Sequence, residues 1–311
     1  MVEKYDVVII GGGPAGLSAG LYTSRARMKS LLLETGIPGG QMVTTHWIEN
    51  YPGFEEGISG LDLSRKMEEQ SKRFGLEIQR IKAERIRVDG KERCLVTEDG
   101  SEIWTRVIII ATGVATKKLN VEGEDGLRGR GVSYCATCDG ALFRGKKVAV
   151  IGGGNSAVQE AIFLTRFANE VFIVHRRDTL RATKIYQERA FANSKIKFIW
   201  DSVVERIEGD DTVNAVRVKN LKTDQSEILP VNGVFIYVGS TPNTEFLRGL
   251  LDLDMAGFII TDKRMATSVL GIYAAGDVRA DSLRQISTAV GDGAIAAMSA
   301  EKYLEENFKR E

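Results

Sequence analysis

YDVVIIGGGPAG (residues 5–16) and KVAVIGGGNSA (residues 147–157) are two copies of one pattern. Each is a strand-length apolar run that stops in consecutive glycines and continues into helical spacing, over Leu17–Arg27 in the first copy and Val158–Phe167 in the second. Each is followed by another β-rich run, Ser30–Leu33 and Glu170–Val174. Strand, glycine turn, helix and strand open a parallel βαβ unit. The expected fold class is therefore α/β, with two Rossmann-like dinucleotide-binding domains.

In such a loop the first glycine permits the tight turn, the second lets the backbone approach a diphosphate, and the third lets helix pack on strand. Gly11, Gly13 and Gly16 fill these places in the first loop, with Pro14 and Ala15 at the helix start. Gly152, Gly154 and Ala157 fill them in the second, with Asn155 and Ser156 between. The diphosphate then rests on the free N–H groups of the helix. Eighteen residues beyond Gly16 stands Glu34, whose carboxylate can accept from ribose hydroxyls; eighteen beyond Ala157 stands His175, followed by Arg176, Arg177 and Arg181. A carboxylate repels a 2′-phosphate and an arginine cluster grips one. The first loop therefore suits a dinucleotide without a 2′-phosphate and the second NADP(H), and two nucleotide sites on one chain suggest electron transfer between FAD and a nicotinamide.

Other segments fit around these units. Leu61–Phe74 has the pattern of an amphipathic helix, and Ser287–Phe308 that of a C-terminal helix. Ile86–Thr97 and Ile103–Ile110 read as strands around a turn at Asp99-Gly100; Val203–Thr223 and Glu227–Val238 read as a β-meander. Ile110–Gly113 is a strand end opening onto a site, which brings Thr112 and Gly113 forward as cofactor contacts, and Tyr273–Asp277 does the same for Gly276 and Asp277. Turn-like segments at Ala111–Thr116 and Gly239–Thr244 read as the two linkers of an inserted domain. The expected division is an FAD domain of residues 1–114 and 245–311 and an NADPH domain of residues 115–244.

Composition excludes other classes. Of 311 residues, 42 are Lys or Arg and 42 are Asp or Glu, so the basic excess usual for nucleic-acid or anionic-membrane binding is missing. Apolar runs such as Val107–Ala111 and Val234–Val238 are strand-length and far short of the ~20 residues that cross a bilayer. The N-terminus runs into an apolar strand by Val7 with no charged n-region of the signal-peptide kind and no cleavage site, which argues against a secretory signal. Only three cysteines occur, too few for a disulfide-stapled secreted fold, so a cytoplasmic location is expected.

Cys135 and Cys138 form a C-x-x-C pair fourteen residues before the second glycine loop. Zinc needs about four ligands, and the remaining candidates, Cys94, His46 and His175, are scattered. A dithiol/disulfide couple is favoured, because close cysteines lower one another's pKa and exchange readily. Asp139 adjoins the pair and suits a general acid; the alternative is a turn aspartate before Gly140. Cys94 reads as a buried bystander and His46 as a loop histidine.

Together these motifs resemble the low-molecular-weight thioredoxin reductases along essentially the whole chain. The matching stretches are GGGPAG (11–16), PGGQ (38–41), ENYPG (49–53), CATCD (135–139), GGGNSA (152–157), HRRD (175–178) with Arg181, AGDV (275–278) and RQ (284–285). The resemblance implies FAD held through Gly13, Glu34, Gln41, Asn50, Asp277, Arg284 and Gln285, with Gly40 and Ile286 beside them; Glu34 and Ile286 stand where members vary. It also implies NADPH on the inserted domain, a homodimer, and a thioredoxin or glutaredoxin-like partner. Cys138 would face the flavin and Cys135 would attack the substrate disulfide. The pair and the NADPH loop share one domain while FAD lies on the other, so rotation about the linkers is expected between half-reactions. Rival readings are a ferredoxin-type reductase, whose members lack the cysteine pair; a reductase serving a glutaredoxin-like or peroxidase partner; and a non-enzymatic flavin-bearing sensor, which would not need both an NADPH site and a dithiol.

Overall fold

The computed structural model describes residues 4–45, 48 and 50–308. The chain forms two compact units: Met1–Ala115 with Thr241–Glu311, and Thr116–Ser240 between them in sequence.

Strand β1 (Lys4–Ile10) runs through the glycine turn into α1 (Pro14–Arg25), and the chain returns in β2 (Ser30–Leu33). Helix α1 begins three residues before the apolar spacing suggested, because Pro14 at its first position has its φ already set for a helix. It ends at Arg25, and Arg27 turns the chain with φ 61°. Helix α2 (Gly60–Arg73) follows, capped by the Ser59 hydroxyl, which accepts from the Asp62 N–H at 3.1 Å. Then come β3 (Glu77–Gln79), β4 (Ala83–Asp89), β5 (Glu92–Thr97) and β6 (Glu102–Ile110). Ile86–Thr97 is thus not one strand but most of a hairpin, broken where Gly90 adopts φ 56°. Short β7 (Val114–Thr116) leads out of the first unit.

The second unit contains β8 (Val132–Ser133), the one-turn α3 (Ala136–Asp139), β9 (Lys147–Ile151), α4 (Asn155–Leu164), β10 (Glu170–Val174), α5 (Lys184–Phe191) and β11 (Ile196–Ile199). It continues with β12 (Ser202–Glu208), β13 (Ala215–Asn220), β14 (Ser226–Pro230) and β15 (Gly233–Ile236). Helix α4 starts and stops three residues earlier than the spacing suggested, again directly from the glycine turn. The run 227–238 also divides: β14 closes an antiparallel ladder with β13, while β15 enters the parallel sheet between β9 and β8. Residues 233–236 are wholly buried, which suits an interior parallel strand, and Pro230 has no N–H with which to extend the meander. Strand β16 (Ser240–Pro242) pairs with β7, so the linkers are a short ladder rather than turns. Finally β17 (Ile272–Ala274) and the long α6 (Ile286–Asn307) complete the first unit.

The first unit's sheet has the order β3-β2-β1-β6-β5-β4, with β17 added beside β6. Pairs β3–β2, β2–β1, β1–β6 and β6–β17 are parallel. The second unit's sheet, β11-β10-β9-β15-β8, is parallel throughout. The period of two along each strand decides which layer a residue joins. Val7 and Ile9 pack with Ala15, Leu17 and Ala19 of α1 and Ala296 of α6; Val8 and Ile10 pack on the opposite face with Leu247 and Ile259. In the second unit, Val148 and Val150 meet Ala157, Val158 and Leu164 of α4, while Ala149 and Ile151 meet Val204, Val216 and Val218 of the antiparallel ladder. Burying one such large aliphatic side chain contributes roughly 1.5–3 kcal/mol.

Gly16 is where this layering is tightest. A Cβ there would overlap the Gly11 carbonyl, which is backbone and cannot move aside. At Gly154 a Cβ would meet nothing within 4 Å. We expect Gly16→Val to lower the unfolding free energy by about 1–3 kcal/mol and Gly154→Ala to change it by less than about 1 kcal/mol. Chemical denaturation of the cofactor-free protein checks both, and equal effects would contradict the packing.

Candidate active site

Both glycine loops end at helices whose first amides lack a side-chain cap. Gly13 and Gly154 are the N-cap residues of α1 and α4, and neither helix receives a cap hydrogen bond from a side chain. The nearest atom to a Cβ at Gly13 would be the Cα of Gly40, 4.0 Å away. Open backbone at the positive end of a helix is a cradle for a diphosphate, so residues 11–16 and residues 152–157 each fit a dinucleotide.

The two loops meet different side chains at the end of the second strand. In the first unit Glu34 follows β2; its Oε2 accepts from the Gly12 N–H at 2.6 Å and its Oε1 from the Gly36 N–H at 2.8 Å. A carboxylate oxygen has two lone pairs, and the structure records one donor on Oε2, so capacity remains there for a ribose hydroxyl. In the second unit His175 follows β10 and lies against Gly153. Its Nε2 is buried with no hydrogen-bond partner, and the residue is only 4% exposed. Burial first, then the positive charges of Arg181, Arg177 and Arg176, hold this imidazole below its ordinary pKa. The Arg181 N–H donates to the Gly153 carbonyl at 2.7 Å, which ties the arginine segment to the loop. Among the described residues no carboxylate pairs with any of the three guanidiniums.

Further first-unit residues are expected beside the first glycine loop. Gly40, with φ 58°, approaches Gly13, and the Gln41 Nε2 donates to the Val114 carbonyl at 2.8 Å. The Asn50 Nδ2 donates to the Gln285 Oε1 at 3.0 Å, joining two expected contacts that are remote in sequence. Gln285 is also the N-cap of α6, in a capping box with Thr288. Ile286 packs on the small cluster of Met42, Ile48, Ile58 and Leu63. Asp277 is pushed up in pKa by burial, against the lowering effect of the Arg284 guanidinium. Arg284 itself takes the left-handed conformation at φ 58° and lays its guanidinium over the Phe258 ring. The Thr112 Oγ1 donates to the Asn243 carbonyl at 2.8 Å, and the Gly113 carbonyl accepts from the Asn243 N–H at 3.1 Å. Gly276 donates its N–H to the Asp292 Oδ2 at 3.1 Å. His46, and Glu49 of the ENYPG stretch, lie outside the described residues.

Cys135 and Cys138 are joined as a disulfide, with Cα atoms 5.3 Å apart. Cys135 is the N-cap of α3, and Ala136 between the cysteines is fully buried. Two residues absent from the motif fix this turn. Ser133 accepts from the Cys135 N–H at 3.1 Å and donates its hydroxyl to the Asp139 Oδ2 at 2.6 Å. The Tyr237 hydroxyl accepts from the Ala136 N–H at 2.6 Å. Ser133 could have been noted for its nearness to the pair; Tyr237 carries no sequence signal. Cys94 is a free, buried cysteine in β5 with the Arg87 guanidinium at its sulfur.

Residues 5–293 match the family model described as pyridine nucleotide-disulphide oxidoreductase. The chain is 52% identical over 303 residues to the thioredoxin reductase of Listeria innocua, covering 97% of this chain and 94% of that protein. It is 50% identical to the thioredoxin reductase of Bacillus subtilis, covering 97% and 95%. A crystal structure of thioredoxin reductase from Streptococcus pyogenes is 51% identical and superposes with a TM-score of 0.92, covering 97% of this chain and 99% of that one. The Lactococcus lactis thioredoxin reductase, 52% identical at the same coverage, scores 0.69.

His175 yields a stability test. Unfolded, its imidazole titrates near about 6.5; folded, it does so lower. As pH falls through this window the unfolded chain takes up a proton that the folded chain does not. The stability that His175 contributes is therefore present above the unfolded pKa and lost as pH falls through the folded one. We expect wild type to lose up to about 1.4 kcal/mol per pH unit there, and His175→Gln to lose less. Parallel slopes in urea unfolding between pH 7 and 5 would contradict this.

Proposed function

The chain belongs to the pyridine nucleotide-disulphide oxidoreductases and, within them, to the thioredoxin reductases, and we propose that it reduces the disulfide of thioredoxin with electrons from NADPH. The observation that carries this reading is a disulfide, Cys135–Cys138, on the same unit as a glycine loop flanked by three arginines that pair with no carboxylate among the described residues. When bound, NADPH supplies a hydride and FAD relays its two electrons to that disulfide.

The protein's own groups then act in sequence. Arg176, Arg177 and Arg181 hold the 2′-phosphate by charge-assisted hydrogen bonds, and the α4 amides hold the diphosphate. Residues 11–16 with Glu34, Gln41, Asn50, Asp277, Arg284 and Gln285 hold the flavin nucleotide. Asp139, held by the Ser133 hydroxyl, supplies the proton to a departing thiolate. The Cys135 thiolate attacks one sulfur of the partner's disulfide and the partner's other sulfur leaves. Cys138 then attacks Cys135, which re-forms the internal disulfide and releases a partner dithiol.

Residues 1–114 with 245–311 serve FAD in this reading, and residues 115–244 serve NADPH and carry the cysteine pair. That unit must present its nicotinamide loop and its disulfide in turn, and rotation about the paired linkers provides the exchange. Gly113 and Gly239 stand at these linkers in left-handed conformations, φ 64° and 116°, and a few such residues suffice for a hinge. The protein works as a homodimer, as is typical of the family. No helix among the described residues is long and apolar enough to cross a membrane, and we place the protein in the cytoplasm.

The direct test is NADPH-dependent reduction of thioredoxin by the FAD-loaded protein. Cys135→Ser and Cys138→Ser should each abolish that turnover while NADPH still bleaches the flavin; normal turnover in either variant overturns the assignment. Arg176→Ala with Arg177→Ala should raise KM for NADPH by ~10-fold or more, since a hydrogen bond to a charged group contributes about 1.5–3 kcal/mol. KM for NADH should stay nearly constant, and an equal rise for both cofactors would contradict the role of the arginines.

A further inference from the structure

Within the HRRD stretch the arginines are followed at once by an acid, Asp178. A carboxylate beside two guanidiniums is a competitor for them, because an arginine that pairs with its neighbour is closed to an incoming anion. The fold gives Asp178 a different partner. Its Oδ2 lies 3.2 Å from the Nζ of Lys222, and the same Nζ lies 2.9 Å from the Asp201 Oδ2. Asp201 is 18% exposed, so it anchors the ammonium, whereas Asp178 is 65% exposed and could turn elsewhere.

The backbone brings these three groups together. Lys222 sits on the turn between β13 and β14, where the Asn220 Oδ1 accepts from the Lys222 N–H at 2.9 Å and the Thr223 N–H at 3.0 Å. The Leu221 N–H donates to the Asp201 carbonyl at 2.6 Å, and the Asp201 N–H donates to the Arg177 carbonyl at 3.3 Å. The turn of the antiparallel ladder is thus fastened, through Asp201, to the arginine segment.

We propose that Lys222 is a positioning residue for recognition of the 2′-phosphate: by holding the Asp178 carboxylate it keeps that carboxylate from Arg176 and Arg177 and leaves their guanidiniums open to a dianion. This rests on the reading of the arginine cluster given above. Without the ammonium, Asp178 pairs with the guanidiniums and must be displaced before the phosphate can bind. The effect falls on ligands bearing a 2′-phosphate and spares those without it.

The test is calorimetric titration of the whole FAD-loaded protein with 2′,5′-ADP and with 5′-ADP, which reads binding without turnover. Lys222→Met, which keeps much of the apolar stem, should weaken 2′,5′-ADP by about two- to fivefold, the range open to an exposed ion pair. It should leave 5′-ADP unchanged, and adding Asp178→Asn to the same chain should restore most of the loss. If wild type shows no preference for 2′,5′-ADP, the arginine cluster is misread and the proposed function fails with it. If wild type shows the preference and Lys222→Met keeps it, the role of Lys222 is overturned. Equal weakening of both ligands overturns it too. Weakening that Asp178→Asn does not repair makes Lys222 a direct phosphate ligand instead, which also overturns the positioning role.

Discussion

The Gly11 carbonyl occupies the place where a side chain at Gly16 would have to lie. That contact lets α1 rest directly on the strand that precedes it, and it brings the helix start to the end of β1. The second unit uses the same approach, since a Cβ at Gly152 would meet the Ala157 side chain at 2.9 Å and the Tyr237 carbonyl at 2.5 Å. A helix held this close leaves its first amides without intrahelical partners at the rim of the sheet. In the first unit only hydrogen fits at Gly16, against the Gly11 carbonyl; in the second the Ala157 methyl takes the corresponding place and only hydrogen fits at Gly152.

From this shared base the units diverge through one position each. Glu34 and His175 follow equivalent strands, yet one is a carboxylate spanning two loop amides and the other a buried imidazole held neutral. A carboxylate at the second place would repel a 2′-phosphate and tie up the arginines. A neutral ring in a cationic surround does neither, and desolvation together with Arg181, Arg177 and Arg176 keeps it uncharged. The charge pattern that follows the two equivalent strands is thus set by burial as well as by residue type.

The cysteine pair obeys a related logic. A one-turn helix has little stability of its own, and α3 is held by groups from other elements: Ser133 at the Cys135 amide and Tyr237 at the Ala136 amide. Burial raises the pKa of the Tyr237 phenol, so its hydroxyl keeps its proton while accepting from Ala136. Ser133 also fixes the neighbouring Asp139, so the disulfide and the carboxylate beside it share one support.

Much of this was open to reading in the chain alone. The apolar runs at Val7–Ile10 and Val148–Ile151, the two glycine loops, the arginines after His175 and the C-x-x-C pair are local patterns, because strand-length apolarity, turn geometry and close spacing act between residues near in sequence. The starts of α1 and α4 lie three residues ahead of their apolar spacing, because that spacing marks the buried face and not the first turn. Ile86–Thr97 concealed a turn at Gly90, and Glu227–Val238 concealed a change of sheet at Pro230. What only the tertiary structure decided is who meets whom across long separations: Tyr237 with Ala136 over 101 residues, Asn50 with Gln285 over 235, and Lys222 with Asp178 over 44. Side-chain pairs of this kind leave no local signature, since their geometry exists only once separate sheets, turns and helices have packed.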